Sequence, residues 1–245
     1  MEISQDVHLP TSDRTLVAPL WHTTVLIVVI LGLSYLQARQ QVGPAPVQLN
    51  SRLPLYLATI LFELSLFLYV WLLGLRRTRT PLRALIGGRW SSMRDVVNDV
   101  GAAIAFWLVV AMVLLILGKI LGENTAGLRS MKPLLPQGPV EMAVWAILCA
   151  TAGFCEELIF RGYLQRQFLA ITGRIDFAII LQAVVFGMGH MYEGWKGVIT
   201  IMVYGALFGV LAVIKKSLRP GMIQHAGQDL FSGLLGSVLA KRHMF

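Results

Sequence analysis

Three short segments hold the side chains of this 245-residue chain that could do chemistry. They are Glu156-Glu157-Leu158-Ile159-Phe160-Arg161, Phe186-Gly187-Met188-Gly189-His190 and His225-Ala226-Gly227-Gln228-Asp229. Each sits in a stretch otherwise apolar enough to cross a bilayer. An ionisable group at membrane depth costs at least ~2.5–3.5 kcal/mol on insertion scales, which makes it a functional candidate by default. Three carboxylates, a guanidinium and two imidazoles within one third of the chain exceed what packing requires.

On a helix, Glu157 and Arg161 share a face and can form an ion pair. Glu156 is rotated by about 100° from Glu157 and about 140° from Arg161, so it points elsewhere. Arg161 then neutralises Glu157 and holds the helix, and Glu156 is left to face a water or a metal. If this helix and the one through His190 form a hairpin turning near Gly173, Glu157 lies 16 residues before the turn and His190 17 after it. Both arms are about 24–26 Å long, which brings the carboxylates and His190 to one depth. His225 and Asp229 share a face four residues apart, and a carboxylate so placed can accept a proton from the imidazole and fix its tautomer. Counted from the Lys215–Pro220 turn, however, a regular helix leaves His225 about 10 Å from His190 in depth. A break or tilt at Pro220, Gly221 or Gly227 would relieve that mismatch.

A carboxylate with an imidazole can deprotonate a water, and donors opposite can stabilise the oxyanion of a tetrahedral intermediate. Peptide-bond hydrolysis inside a membrane needs both. Alternatively, Glu156, His190 and His225 make a His₂Glu set that would bind Zn2+ and keep a fourth position for water. The HExxH pattern of zincins is absent.

The elements that must position these residues are apolar helices. Hydrophobic residues make up 56% of the chain and charged ones 14%, which excludes an ordinary soluble domain. About 20 apolar residues are needed to cross the hydrocarbon core as helix. Seven stretches approach this, at roughly 17–36, 53–75, 97–121, 140–160, 176–190, 196–214 and 222–240. The fold class expected is all-α: a polytopic transmembrane helical bundle of about 7–8 spans. It forms a single integral membrane domain over 1–245, with a flexible tail at 1–16 and a catalytic core at 140–240. The first stretch is too long for a signal-peptide core and is read as a retained span.

The net charge of +8 does not call for nucleic acid, because the charges lie in loops. Arg76, Arg77, Arg79, Arg83, Arg89 and Arg94 crowd the connection after the second span, which places that loop and the N-terminus in the cytoplasm. Arg161, Arg166, Arg174, Lys215, Lys216 and Arg219 follow them inside; Lys119, Arg129, Lys132, Lys241 and Arg242 fall outside. Anionic lipid headgroups are the expected partners of the basic loops. Cys149 and Cys155 are about 240° apart on one helix, so they read as small core residues rather than a disulfide or a ligand pair. Glu63, near the middle of the second span, lines a polar cavity, pairs with Arg161 or snorkels. Pro139 suits the first turn of the fourth span. Gly205-Ala206-Leu207-Phe208-Gly209 is a small-xxx-small pattern that lets two helices approach closely.

Taken together and in order, the three segments resemble the EExxxR, FxxxH and HxxxN/D motifs of the CAAX protease and bacteriocin-processing family of intramembrane endopeptidases. The resemblance covers roughly residues 140–240. It implies an all-helical bundle of about eight spans in a bacterial cell membrane. It also implies cleavage of a peptide bond in a membrane-bound peptide or lipidated protein, after a prenylated cysteine in the prenyl endopeptidases of the family. By the family pattern Glu156 and His190 activate water, His225 and the residue four later hold the oxyanion, and Glu157 and Arg161 support them. Asp229 departs from the Asn of the prenyl-endopeptidase version. An ionised carboxylate cannot donate to an oxyanion, so Asp229 orients His225 or sits protonated, and the oxyanion falls mainly to His225. A catalytically idle scaffold or bacteriocin-immunity protein of the same fold is the competing reading. A proton-coupled transporter lacks the support of an inverted repeat.

Overall fold

The computed structural model describes residues 15–40, 51–124, 126–127 and 131–241. The first fourteen residues of the expected N-terminal tail lie outside the described residues, as do Arg129 and Arg242. Among the described residues there are eight helical elements of five residues or more and no strand. They are α1 (Leu20–Gln40), α2 (Leu53–Leu75), α3 (Leu82–Ile86), α4 (Met93–Leu121), α5 (Pro139–Thr172), α6 (Ile175–Met188), α7 (Met191–Lys215) and α8 (Arg219–Lys241).

Five of these, α1, α2, α4, α5 and α7, are long and apolar enough to cross a membrane, which makes this a multi-pass integral membrane protein. Leu61, Leu108, Leu115, Ile120 and Ile214 stand outward on them, while Glu157, Arg161, Gln165 and Gln182 are buried within. Polar inside and apolar outside is what a lipid solvent selects. The bundle departs from the seven stretches read by composition at two helices. α6 has 14 residues, about 21 Å of helix, short of the ~30 Å hydrocarbon core. α8 is long enough, but Gln224, His225, Gln228 and Asp229 interrupt its apolar character.

Helix ends follow local chemistry. Pro139 opens α5 in its first turn after Gly138, and Ser92 and Asp95 close a reciprocal capping box on α4. Gly173 ends α5 in the left-handed region at φ 70°, where a side chain would be strained, and α6 starts two residues later. The α5–α6 hairpin turns there. Within α5 the segment Glu157–Leu164 winds as π-helix, and all eight of its residues are buried. Such widened turns concentrate at functional positions.

Basic loops gather at the same end of the bundle as this hairpin. Arg166 donates to the Ala84 carbonyl at 3.0 Å, Leu218 N–H to Ile86 at 2.9 Å, and Arg219 pairs with Asp99 at 2.7 Å. Gln167 clasps the backbone of Val17 and Ala18. The arginine-rich connection from Arg76 to Arg94 and the turns at Gly173 and Lys216 therefore share one side.

Close helix contacts set the register of the catalytic third. Gly205 and Gly209 of α7 face α6: a Cβ at Gly205 would sit 3.3 Å from Ala183 Cα, and one at Gly209 2.8 Å from Gln182 Nε2. α8 runs antiparallel along α5. Its start is pressed onto Gly162 by Leu218, and Ala226 N and Met222 O lie 2.9 Å from where a Gly153 Cβ would stand. Gly153→Val must therefore push α8 off α5. The expected loss is ~1–3 kcal/mol, read as a lower unfolding temperature in detergent, and an unchanged temperature would contradict this packing.

Candidate active site

Arg161 organises the site. Its side chain is 0% exposed and that of Glu157 1%, and the two pair at 2.9 Å. The guanidinium lies between the rings of Phe186 (4.3 Å) and Phe208 (4.9 Å) and donates to the Gly205 carbonyl at 3.3 Å. Four residues on, Gln165 donates to the Gly209 carbonyl at 3.2 Å, and Gln182 donates to Gly205 at 2.9 Å. Helix-interior carbonyls keep a second lone pair for such donors, and the missing side chains of Gly205 and Gly209 let them approach.

The same Glu157 oxygen that pairs with Arg161 meets His225 Nδ1 at 3.0 Å. A carboxylate only accepts, so Nδ1 carries the hydrogen and Nε2 is turned to the other side. There it faces Glu156 Oε2 and Asp229 Oδ2, each 3.6 Å away. Glu157, rather than Asp229, is thus the direct partner that orients His225. Asp229 is 38% exposed and Glu156 16%, whereas His225 is 6% exposed, so the carboxylates are the accessible edge of the group. The rings of Tyr204 and Phe208 stand edge-on or tilted to His225 at 5.9 and 5.6 Å.

His190 approaches from beyond Phe186. The Phe186 ring is 5.1 Å from His190 and 6.4 Å from His225, centre to centre. His190 Nδ1 meets the Phe186 carbonyl at 2.9 Å; a carbonyl only accepts, so Nδ1 donates and the neutral ring presents an Nε2 lone pair. His190 is half-buried where α6 ends, within electrostatic reach of Asp229 and Glu193.

The structure brings Glu156, Glu157, Arg161, His225 and Asp229 into one contact chain and sets His190 across a phenylalanine from it. His225 reaches Glu157 directly, deeper along α5 than counting from the Lys215–Pro220 turn allowed. The predicted mismatch came from taking the Gly173 and Lys216 turns as level. Leu218 instead packs on Gly162, so α8 starts about seven residues, roughly 10 Å, before His225 at a point already deep along α5.

Among the described residues no three His, Cys, Asp or Glu side chains are grouped as ligands. Cys149 and Cys155 are free and buried.

Several nearby residues escaped the sequence reading. Tyr204 and Gln224 meet at 3.3 Å beside His225. Tyr192 and Glu193 follow two and three residues after His190, and polarity at the end of an apolar helix was their only signal. Glu63 is buried on α2, and its side chain hydrogen-bonds that of Glu156, not Arg161.

Residues 138–231 match the family described as Type II CAAX prenyl endopeptidase Rce1-like. That interval begins at the residue before α5 and ends two residues past Asp229, enclosing all six candidate residues. Residues 138–231 thus form an Rce1-like domain of the type II CAAX prenyl endopeptidase family, and membership of that family implies an intramembrane protease. No curated protein and no solved structure matches the chain.

The buried ion pair gives a direct prediction. Arg161→Met leaves Glu157 an uncompensated buried charge and lowers stability by ~3–5 kcal/mol. The double variant Arg161→Met, Glu157→Gln recovers part of that loss. Denaturant unfolding in micelles reads both, and an Arg161→Met protein as stable as wild type would contradict the pairing.

Proposed function

We propose that this protein is an intramembrane endopeptidase that hydrolyses a peptide bond of a membrane-associated or lipidated protein with a water activated by Glu156 and His190. The observation that carries this reading is the ordered chain Arg161–Glu157–His225, which aims Nε2 of His225 toward Glu156 inside the Rce1-like domain.

In this mechanism Glu156 takes a proton from water while His190 Nε2, its lone pair set by the Phe186 carbonyl, orients that water. The hydroxide adds to the scissile carbonyl and the oxygen becomes an oxyanion. His225 stabilises it: Nδ1–H stays with Glu157, so donation from Nε2–H uses the imidazolium form of the ring. When the C–N bond breaks, the proton held by Glu156 passes to the leaving amine, and the carboxylate returns to its starting state. No step runs through a metal.

Placement in the membrane completes the proposal. α6 and α8 join the five long helices as spans, giving a single membrane domain of seven spans whose catalytic core lies at 140–240. The arginine-rich end faces the cytoplasm of a bacterial cell together with the N-terminus, and it binds anionic lipid headgroups.

Glu156→Gln, His190→Ala and His225→Ala should each lower cleavage by ~10²–10⁴-fold with membrane insertion unchanged. The assay uses proteoliposomes and a fluorogenic peptide ending in a farnesylated CAAX sequence. It is joined by a membrane-proteome comparison of cells making wild type or Glu156→Gln, which reports substrates that are not prenylated. Full cleavage by all three variants contradicts the site, and wild type that alters no membrane protein and cuts no peptide favours the idle scaffold. Dialysis against phenanthroline should leave the activity intact; its loss, restored by stoichiometric zinc, contradicts the metal-free mechanism.

A further inference from the structure

Glu63 lies 93 positions before Glu156, on a span outside the matched 138–231 interval. It is 8% exposed, near the middle of α2. Its carboxyl hydrogen-bonds the Glu156 carboxyl, and the other titratable groups around it are Asp229 of α8, Cys155 of α5 and Tyr192 beyond His190. None of these is a cation, and Arg161 is taken by Glu157. A mid-span carboxyl without a basic partner is expensive to keep, and packing alone would be served by Leu or Met.

Two carboxylates cannot hydrogen-bond each other, since both are acceptors; the contact requires one O–H. For Glu156 to act as a base it must be the ionised member, which leaves the proton on Glu63. One Glu156 oxygen then accepts from Glu63, and the other is left for water.

We propose that Glu63 is a positioning residue for Glu156: as a neutral carboxylic acid it donates one hydrogen bond that fixes the catalytic carboxylate against α2. Glu63 keeps its proton throughout the cycle, so the proton taken from water and given to the leaving amine travels through Glu156 alone. The active centre is therefore completed by the N-terminal half of the bundle. This rests on the peptidase reading for its catalytic meaning, and the carboxyl pair itself has a readout that needs no substrate.

Infrared difference spectra of wild type minus Glu63→Gln at neutral pH supply that readout. A neutral-carboxyl C=O band should be lost in Glu63→Gln and shifted in Glu156→Gln, where the acceptor becomes an amide. In the cleavage assay Glu63→Gln, whose amide N–H still donates, should keep activity within a few-fold of wild type. Glu63→Leu, which suits a membrane span but cannot donate, should lose at least ~10-fold in kcat with KM little changed, part of the ~10²–10⁴-fold that general-base catalysis contributes. Absence of the band, or a Glu63→Leu protein with wild-type kcat, overturns the proposal. A band that responds to both variants in a protein that cuts nothing supports the carboxyl pair and overturns the peptidase reading instead.

Discussion

A positive and a negative charge locked together out of water, Arg161 with Glu157, are the constraint around which this bundle is arranged. Neither side chain has solvent to fall back on. The guanidinium is hydrogen-bonded to a carboxylate and a glycine carbonyl, and aromatic faces cover it on two sides. Desolvating such a pair is costly, and its neighbours offset that cost in part, since Nε of Arg161 is left without a hydrogen-bond partner. Gly205 supplies a carbonyl, Phe186 and Phe208 supply quadrupoles, and His225 occupies the shared carboxylate oxygen. These partners come from three other helices, α6, α7 and α8, so satisfying one ion pair docks α5, α6, α7 and α8 together.

That docking has a chemical consequence. Because Glu157 is spent on Arg161 and His225, its neighbour Glu156 is turned to the accessible edge with Asp229. Of the two adjacent glutamates, one is buried in the ion pair and the other is the more accessible. The histidines are differentiated in the same way. His190 has Nδ1 on a backbone carbonyl and His225 has Nδ1 on a carboxylate, so the two rings are held by acceptors of different charge.

The Glu157–Arg161 pair could be read from the four-residue spacing, and the α5–α6 hairpin from Gly173, because both depend on local periodicity along one element. The approach of α6 and α7 was likewise legible in Gly205 and Gly209. What could not be read was azimuth and register between distant elements. Glu63 was recognisable as an anomalous charge, but nothing in α2 tells whether it turns toward Arg161 or Glu156. The level of His225 depended on where the Ser217–Leu218 linker lands, and the Leu218 contact with Gly162 fixes that level. Two of the seven stretches differ from the long apolar spans for a related reason. α6 and α8 pack on protein along much of their length, so they need neither the length nor the uniform apolar character of a lipid-facing helix.

The contact on which this account rests is the one between the Glu157 carboxylate and Nδ1 of His225. Solid-state NMR on bilayer-embedded protein, with ¹⁵N in histidine and ¹³C in the glutamate carboxyls, measures it directly. A protonated Nδ1 of His225 in dipolar contact with the Glu157 carboxyl carbon, lost on Glu157→Gln but retained in Glu156→Gln, is the predicted result. A His225 whose Nδ1 bears no proton, or whose nearest carboxyl survives Glu157→Gln, would contradict it.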